Sequence, residues 1–132
     1  MEKIIVQIGW CDNYCAASDE ILGCVACSDT IEGIKKEYRS ALDFHIKGML
    51  EDGDELPEKL KNEYELVFEL DTSAMLHSLD GIVTRKAIAK VTGINEALLI
   101  HYANGFRKPR PVQRQRIIDG IHQIGRELTL IG

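Results

Sequence analysis

Apolar and polar residues alternate almost from the start of the chain. Ile4, Val6, Ile8 and Trp10 fall on one side of an extended backbone, and Lys3, Gln7 and Gly9 fall on the other. A period of two predicts a half-buried strand. Asp12-Asn13 reads as a turn, Tyr14–Ser18 as a second strand, residues 19–23 as a second turn and residues 24–28 as a third strand. The chain is therefore expected to open as an antiparallel meander. The period then changes. Ile31, Ile34, Tyr38, Leu42, Ile46 and Met49 recur at intervals of three and four, the stripe of an amphipathic helix. Asp29 is placed to cap that helix, with Glu32 three residues later able to bond back to the cap's own N–H. Lys35, Lys36, Glu37, Arg39 and Lys47 lie off the stripe and read as solvated. An acidic loop over residues 51–57 follows. Leu66, Phe68 and Leu70 then alternate with Glu65, Val67 and Glu69, which predicts a fourth strand.

Beyond residue 70 the pattern is helical and each boundary is punctuated. A short helix over residues 72–79 ends at Asp80-Gly81. Thr84 can cap a second helix, carrying Ala87, Ile88 and Val91, that stops at Gly93. Asn95 can cap a third that ends at Asn104-Gly105. After Pro109 and Pro111 a fourth runs over residues 112–128, with Ile117, Ile121, Ile124 and Leu128 as its stripe. The fold class expected is α+β. An N-terminal β-β-β-α-β domain over residues 1–70, with the helix on one face of the sheet, precedes an all-α domain of about four helices over residues 71–132.

Charge sharpens this division. Residues 1–70 hold 7 Lys/Arg against 16 Asp/Glu, a balance of −9, whereas residues 71–132 hold 9 against 5, a balance of +4. A basic domain can release counterions from nucleic acid, and an acidic one is repelled by it, so the two halves are expected to meet different partners. There is no secretion signal and no apolar run of membrane-spanning length, so the chain is expected to be soluble and cytoplasmic. In that compartment Cys11, Cys15, Cys24 and Cys27 are expected as reduced thiols rather than a disulfide framework. Their spacing invites a zinc reading. Against it, Cys24 and Cys27 fall three apart on one strand, so they point to opposite faces, and no glycine turn separates them. No metal and no cofactor is expected.

The chemistry concentrates between Thr84 and Pro109. Two short helices joined by a tight glycine-containing turn make a helix-turn-helix. Ala89 is small where the helices would cross, Gly93 opens the turn, and Ile94, Leu99 and Tyr102 are apolar where the second helix must seat on the first. This stretch resembles the Xre/Cro family of repressor-like DNA-binding domains over residues 72–128. The likeness extends to Gly105-Phe106-Arg107-Lys108-Pro109, which is similar to the family's exit from its recognition helix. Ala103 and Ile100 depart from the residues common there, which bears on which operator is read. By position, Asn95, Glu96, Leu98 and His101 are expected to face base edges, with Leu98 against a thymine methyl. Arg85, Arg107, Lys108 and Arg110 are expected to hold phosphates. A palindromic operator and a homodimer or higher homo-oligomer follow from that mode of binding.

The front half resembles a second family. Leu22-Gly23-Cys24-Val25, then Asp29-Thr30-Ile31-Glu32, then Met49-Leu50-Glu51-Asp52-Gly53 before Leu56-Pro57, are similar in order and spacing to HicB antitoxins. Ile21 and Gly33-Ile34 depart from that pattern. The resemblance implies a partial RNase H-like fold for residues 1–70. It also implies an antitoxin that neutralises a small basic mRNA-cleaving toxin of the HicA kind and represses its own operon. Asp52, Asp54 and Glu55 are the residues expected to meet that toxin. An RNase H-like sheet raises the rival idea of a nuclease, but two-metal chemistry needs clustered carboxylates, and only Asp12 is placed suitably. An enzyme is not expected. The competing expectation is a stand-alone repressor whose front half senses a small ligand.

Overall fold

A computed structural model describes all 132 residues, Met1–Gly132. The chain divides into two compact units, Met1–Asp71 and Thr72–Gly132.

The first unit contains β1 (Glu2–Trp10), β2 (Tyr14–Ser18), β3 (Ile21–Ser28), α1 (Ile31–Glu51), a 3-10 turn (Glu58–Leu60) and β4 (Tyr64–Leu70). The sheet runs β3-β2-β1-β4. The central strand β1 is antiparallel to β2 and parallel to β4, with Ile4 opposite Leu66 and Ile8 opposite Leu70. Ile4, Val6, Ile8, Ala16 and Cys24 are buried on one face, together with Ile34, Tyr38 and Leu42 of α1. Tyr38 meets Phe68 of β4 edge to face at 6.1 Å, while α1 also packs on β2 and β3. The other face of the sheet carries no helix of this unit, and Ile5, Ala17, Val25 and Cys27 are exposed there.

The arrangement expected from the sequence, a β-β-β-α-β partial RNase H-like unit followed by an all-α domain of about four helices, is corrected by this topology. The sheet order is β3-β2-β1-β4, so β1 is central and the sheet is mixed rather than a simple continuation of the meander. A 3-10 turn lies between α1 and β4 where the pattern suggested only an acidic loop, and the chain as a whole holds five α-helices. Alternation locates strands along the chain but says nothing of their spatial order. That order is set by where a helix rising about 30 Å over 21 residues returns the chain.

Two local expectations are also overturned. Thr30, not Asp29, caps α1, its Oγ1 accepting from the Gly33 N–H at 2.9 Å. Glycine is what leaves room for that cap, since a Cβ at Gly33 would lie 2.3 Å from Ser28 Oγ and 2.6 Å from Thr30 Oγ1. The third strand begins at Ile21 rather than at Cys24. Gly23 sits within it at φ +83°, and the pairing slips between Ala17 and Ser18. The glycine that reads as a turn therefore belongs to a bulge, with Ile21 and Cys24 both buried around it.

The second unit contains α2 (Thr72–Ser78), α3 (Arg85–Thr92), α4 (Glu96–Ala103) and α5 (Pro111–Thr129). Its core comprises Leu76, Ile88, Ile94, Leu99, Tyr102, Ala103 and Ile117. Helices α3 and α5 approach closely at Gly120. A Cβ on buried Gly120 would stand 2.4 Å from Thr92 Cγ2. The apolar stripe of α5 fades along its length: Ile117 is buried, Ile121 and Ile124 half-buried, Leu128 exposed. No helix of either unit is long and apolar enough to cross a membrane.

Candidate nucleic-acid interface

Every end of α3 and α4 is fixed by a named bond. Thr84 Oγ1 accepts from the Ala87 N–H at 3.0 Å and starts α3. Gly93 ends it in the left-handed region, φ +76°, with its N–H donating to the Ala89 carbonyl at 2.9 Å. A side chain at that φ would be strained, so glycine is what allows the chain to turn here. Asn95 Oδ1 accepts from the Ala97 N–H at 2.8 Å and starts α4. Between the two caps Ile94 is buried, which pins the three-residue connection to the core. Arg116 of α5 adds a clamp by donating from Nη2 to the Thr92 carbonyl at 2.8 Å.

The far end of α4 is held as firmly. Ser73 Oγ donates to the Ala103 carbonyl at 2.6 Å, and His77 Nε2 lies 3.0 Å from the same oxygen. His77 Nδ1 is 3.0 Å from Asp80, whose other carboxylate oxygen bonds Arg85 at the start of α3. Burial opposes ionisation of Asp80, but hydrogen bonds from Arg85 and His77 outweigh it and hold the carboxyl below its usual range.

These anchors leave one long side of α4 exposed. Leu99, Tyr102 and Ala103 face the core, while Glu96, Ala97, Ile100 and His101 are exposed. The expected base-facing residues therefore separate. Glu96 and His101 lie on the outer side, and the His101 ring rests 6.0 Å from the exposed Phe106 ring. Leu98 does not lie there. It is half-buried and packed against the core, bordering a groove with Tyr102 and Arg107. Asn95 is exposed, but its amide oxygen is engaged as the cap. Ala97 and Ile100, which the sequence does not single out as base-facing, are exposed on that outer side.

The cations separate in the same way. Arg107, Lys108 and Arg110 are exposed in the segment joining α4 to α5, and Lys86 and Lys90 are exposed on α3. Arg85 is engaged with Asp80 and mostly covered. Arg114 donates to Thr72 Oγ1 at 2.9 Å, so it and Arg116 serve contacts within the unit. Among the packing residues named from the sequence, Ile94, Leu99 and Tyr102 are buried, Ala89 is half-buried against the core, and Gly93 forms the turn.

In the first unit, Asp52 ends α1 and Gly53 follows at φ +73°. Asp54 donates its N–H to the Met49 carbonyl at 2.9 Å, and its side chain is exposed. Glu55 is instead paired with Lys61 at 2.7 Å, which holds its carboxyl below the usual range. Asp52 and Asp54 border a groove with Val25, Phe44, His45 and Met49. Phe44 is 80% exposed, a large apolar group that helical periodicity did not single out because it lies off the buried stripe. The four thiols are free and do not form one cluster. Cys24 is buried, and burial pushes its pKa up. Cys15 and Cys27 face each other across β2 and β3 with sulfurs 2.8 Å apart, and the hydrogen bond between them pushes Cys15 up to about 11.

No family model matches the chain. The chain is similar to an uncharacterised 14.9 kDa protein of the rep-hol intergenic region of Haemophilus phage HP1 (strain HP1c1), with 27% identity over 108 residues that span 80% of each chain.

Proposed function

We propose that Thr72–Gly132 is a helix-turn-helix of the Xre/Cro repressor kind that binds palindromic operator DNA as a homodimer or higher oligomer. We further propose that Met1–Asp71 holds a small basic protein, as the HicB-antitoxin resemblance implies. One observation carries the first statement: α4 is capped, bolted at both ends and exposed along one side, with unpaired cations at its flank. A helix that reads the major groove benefits from this rigidity, because base edges are told apart by where their donors and acceptors lie. The exposed Arg107, Lys108 and Arg110 are suited to phosphates, which position the helix without specifying sequence.

The second statement rests on the pairing of exposed apolar groups, Phe44 and Val25, with the acidic Asp52 and Asp54. A basic partner would be steered by the carboxylates, and apolar contacts would supply affinity. The toxin of such a pair would be a ribonuclease, and repression of the shared operon would place both activities in the cytoplasm.

Both statements can be tested with the full chain. Gel-shift and footprinting on the DNA upstream of its own gene should show a symmetric protected site. Co-expression with the adjacent gene's product should rescue growth if that product is a toxic basic protein. The Phe44→Asp variant should lose rescue but retain the footprint. A footprint with no protein partner would favour the stand-alone repressor, and absence of any DNA binding would overturn the first statement.

A further inference from the structure

The outer side of α4 is unusual in what it lacks. Helix α4 contains no Arg, Lys, Gln or Asn, the side chains that make bidentate contacts to purine edges. Asn95, just before it, has its amide oxygen engaged by the Ala97 N–H at 2.8 Å. What α4 presents is Glu96, Ala97, Ile100 and His101, with Ile100 42% exposed. Exposed Ile in a short helix is not explained by packing, since the core of this unit is already closed by Leu99, Tyr102 and Ala103 on the opposite side.

DNA offers one apolar feature in the major groove, the C5 methyl of thymine. Resting on the DNA-binding reading above, we propose that Ala97 and Ile100 select the operator through thymine methyl groups, with Ile100 the specificity-determining side chain. Residues three apart on a helix have Cβ atoms about 5–6 Å apart on the same side. That spacing lets the two side chains meet methyls on neighbouring base pairs or on pairs one further step apart. Glu96, one position before Ala97, supplies an acceptor for an exocyclic amine of cytosine or adenine. The occupant is a polyanion rather than a protein because exposed cations flank the apolar pair. Arg107, Lys108 and Arg110 lie after α4, and Lys86 and Lys90 lie on α3. Five exposed cations on the two segments adjoining α4 suit the regularly spaced phosphates of a duplex.

The experiment uses the full-length protein and synthetic duplexes. Selection from a randomised duplex pool gives the preferred half-site. Each thymine in it is then replaced in turn by deoxyuridine, which removes the methyl and leaves every hydrogen-bonding group in place. Binding is read by fluorescence anisotropy. Loss of one buried methyl should weaken binding about fourfold at one or two positions per half-site. The Ile100→Ala variant should become insensitive to deoxyuridine at one of those positions and keep its sensitivity at the others. The deoxyuridine series on the unaltered protein stands by itself if that variant folds poorly. A selected site whose affinity is unchanged by deoxyuridine at every thymine would overturn the inference and leave DNA binding intact. Failure to retain any duplex at low salt would overturn the DNA-binding reading itself, and this inference with it.

Discussion

The two units solve opposite problems with the same kinds of residue. Met1–Asp71 carries 7 Lys/Arg against 17 Asp/Glu, and Thr72–Gly132 carries 9 against 4. In the acidic unit, regular structure is made by period-two alternation in a mixed sheet, and its exposed candidate surface is a groove where Phe44 stands beside Asp52 and Asp54. In the basic unit there is no sheet, and its candidate surface is the outward side of α4, an eight-residue helix. An isolated helix of that length is unstable in water. Its order comes from end contacts: the Asn95 cap, the Gly93 turn, and the Ser73 and His77 bonds to Ala103. A 21-residue helix packed on a sheet holds a surface by many repeated bonds, while an eight-residue helix depends on a few that can each be removed. The second unit should therefore be the more sensitive to single substitutions away from its core.

The largest effect expected is at Gly120. Any side chain there would press on Thr92, so Gly120→Val should destabilise Thr92–Gly120 packing by about 1–3 kcal/mol, as overpacking does. Thermal unfolding should show the second unit melting earlier and the first unchanged. A matching loss in both would show that the two units unfold as one and do not differ in sensitivity.

Removing the adjacent cations Arg107 and Lys108 by alanine tests the charge side of the comparison. If each holds a phosphate, binding to specific and random duplexes should weaken alike, and the slope of log affinity against log salt should fall by about 1.8. Restriction of the loss to one sequence would instead make them base readers. Asn95→Ala should act differently from Glu96→Ala. The first removes a cap and should cost about 1 kcal/mol of stability in the second unit. Glu96 caps nothing, so its alanine variant should alter base preference while its melting temperature stays close to the parent's.

A smaller effect is expected at Asp80. Its carboxyl is held below the ordinary value of 3.8, so its contribution to stability is present above that pH and is lost as pH falls through the lower folded value. Because the side chain is half exposed, solvent screening limits this to about 1 kcal/mol or less. The Asp80→Asn variant should be less stable near neutrality and should lack that acid-side decline. A parent and variant with parallel acid profiles would assign the decline to other carboxylates. Least in energy is the thiol pair of the first unit. A mild two-electron thiol oxidant such as diamide should join Cys15 to Cys27, leaving two titratable thiols of four, and either Cys→Ser change should prevent it. Oxidation that instead consumes Cys24 would contradict its burial.

In the second unit the sequence by itself determined where the chain turns. Thr84, Gly93 and Asn95 mark the ends of α3 and α4 because capping and left-handed φ depend on the residue in place and its near neighbours. It determined which residues are apolar at helical spacing, and so that Ile94, Leu99 and Tyr102 would be candidates for one core. It also determined the opposite charges of the two halves. Tertiary structure decided the rest. Strand order and the parallel pairing of β4 with β1 depend on contacts far apart in the chain, which no local period encodes. Leu98 and Ile100 are both apolar and two residues apart, yet only the packing of α4 determines that Leu98 turns towards the core and Ile100 outwards. Arg85 and Arg107 are the same letter, and only the position of Asp80 engages the first while the second stays exposed. A residue's propensity is a property of its own backbone. Its availability for function is a property of its neighbours in space, and these become known only when the fold brings them together.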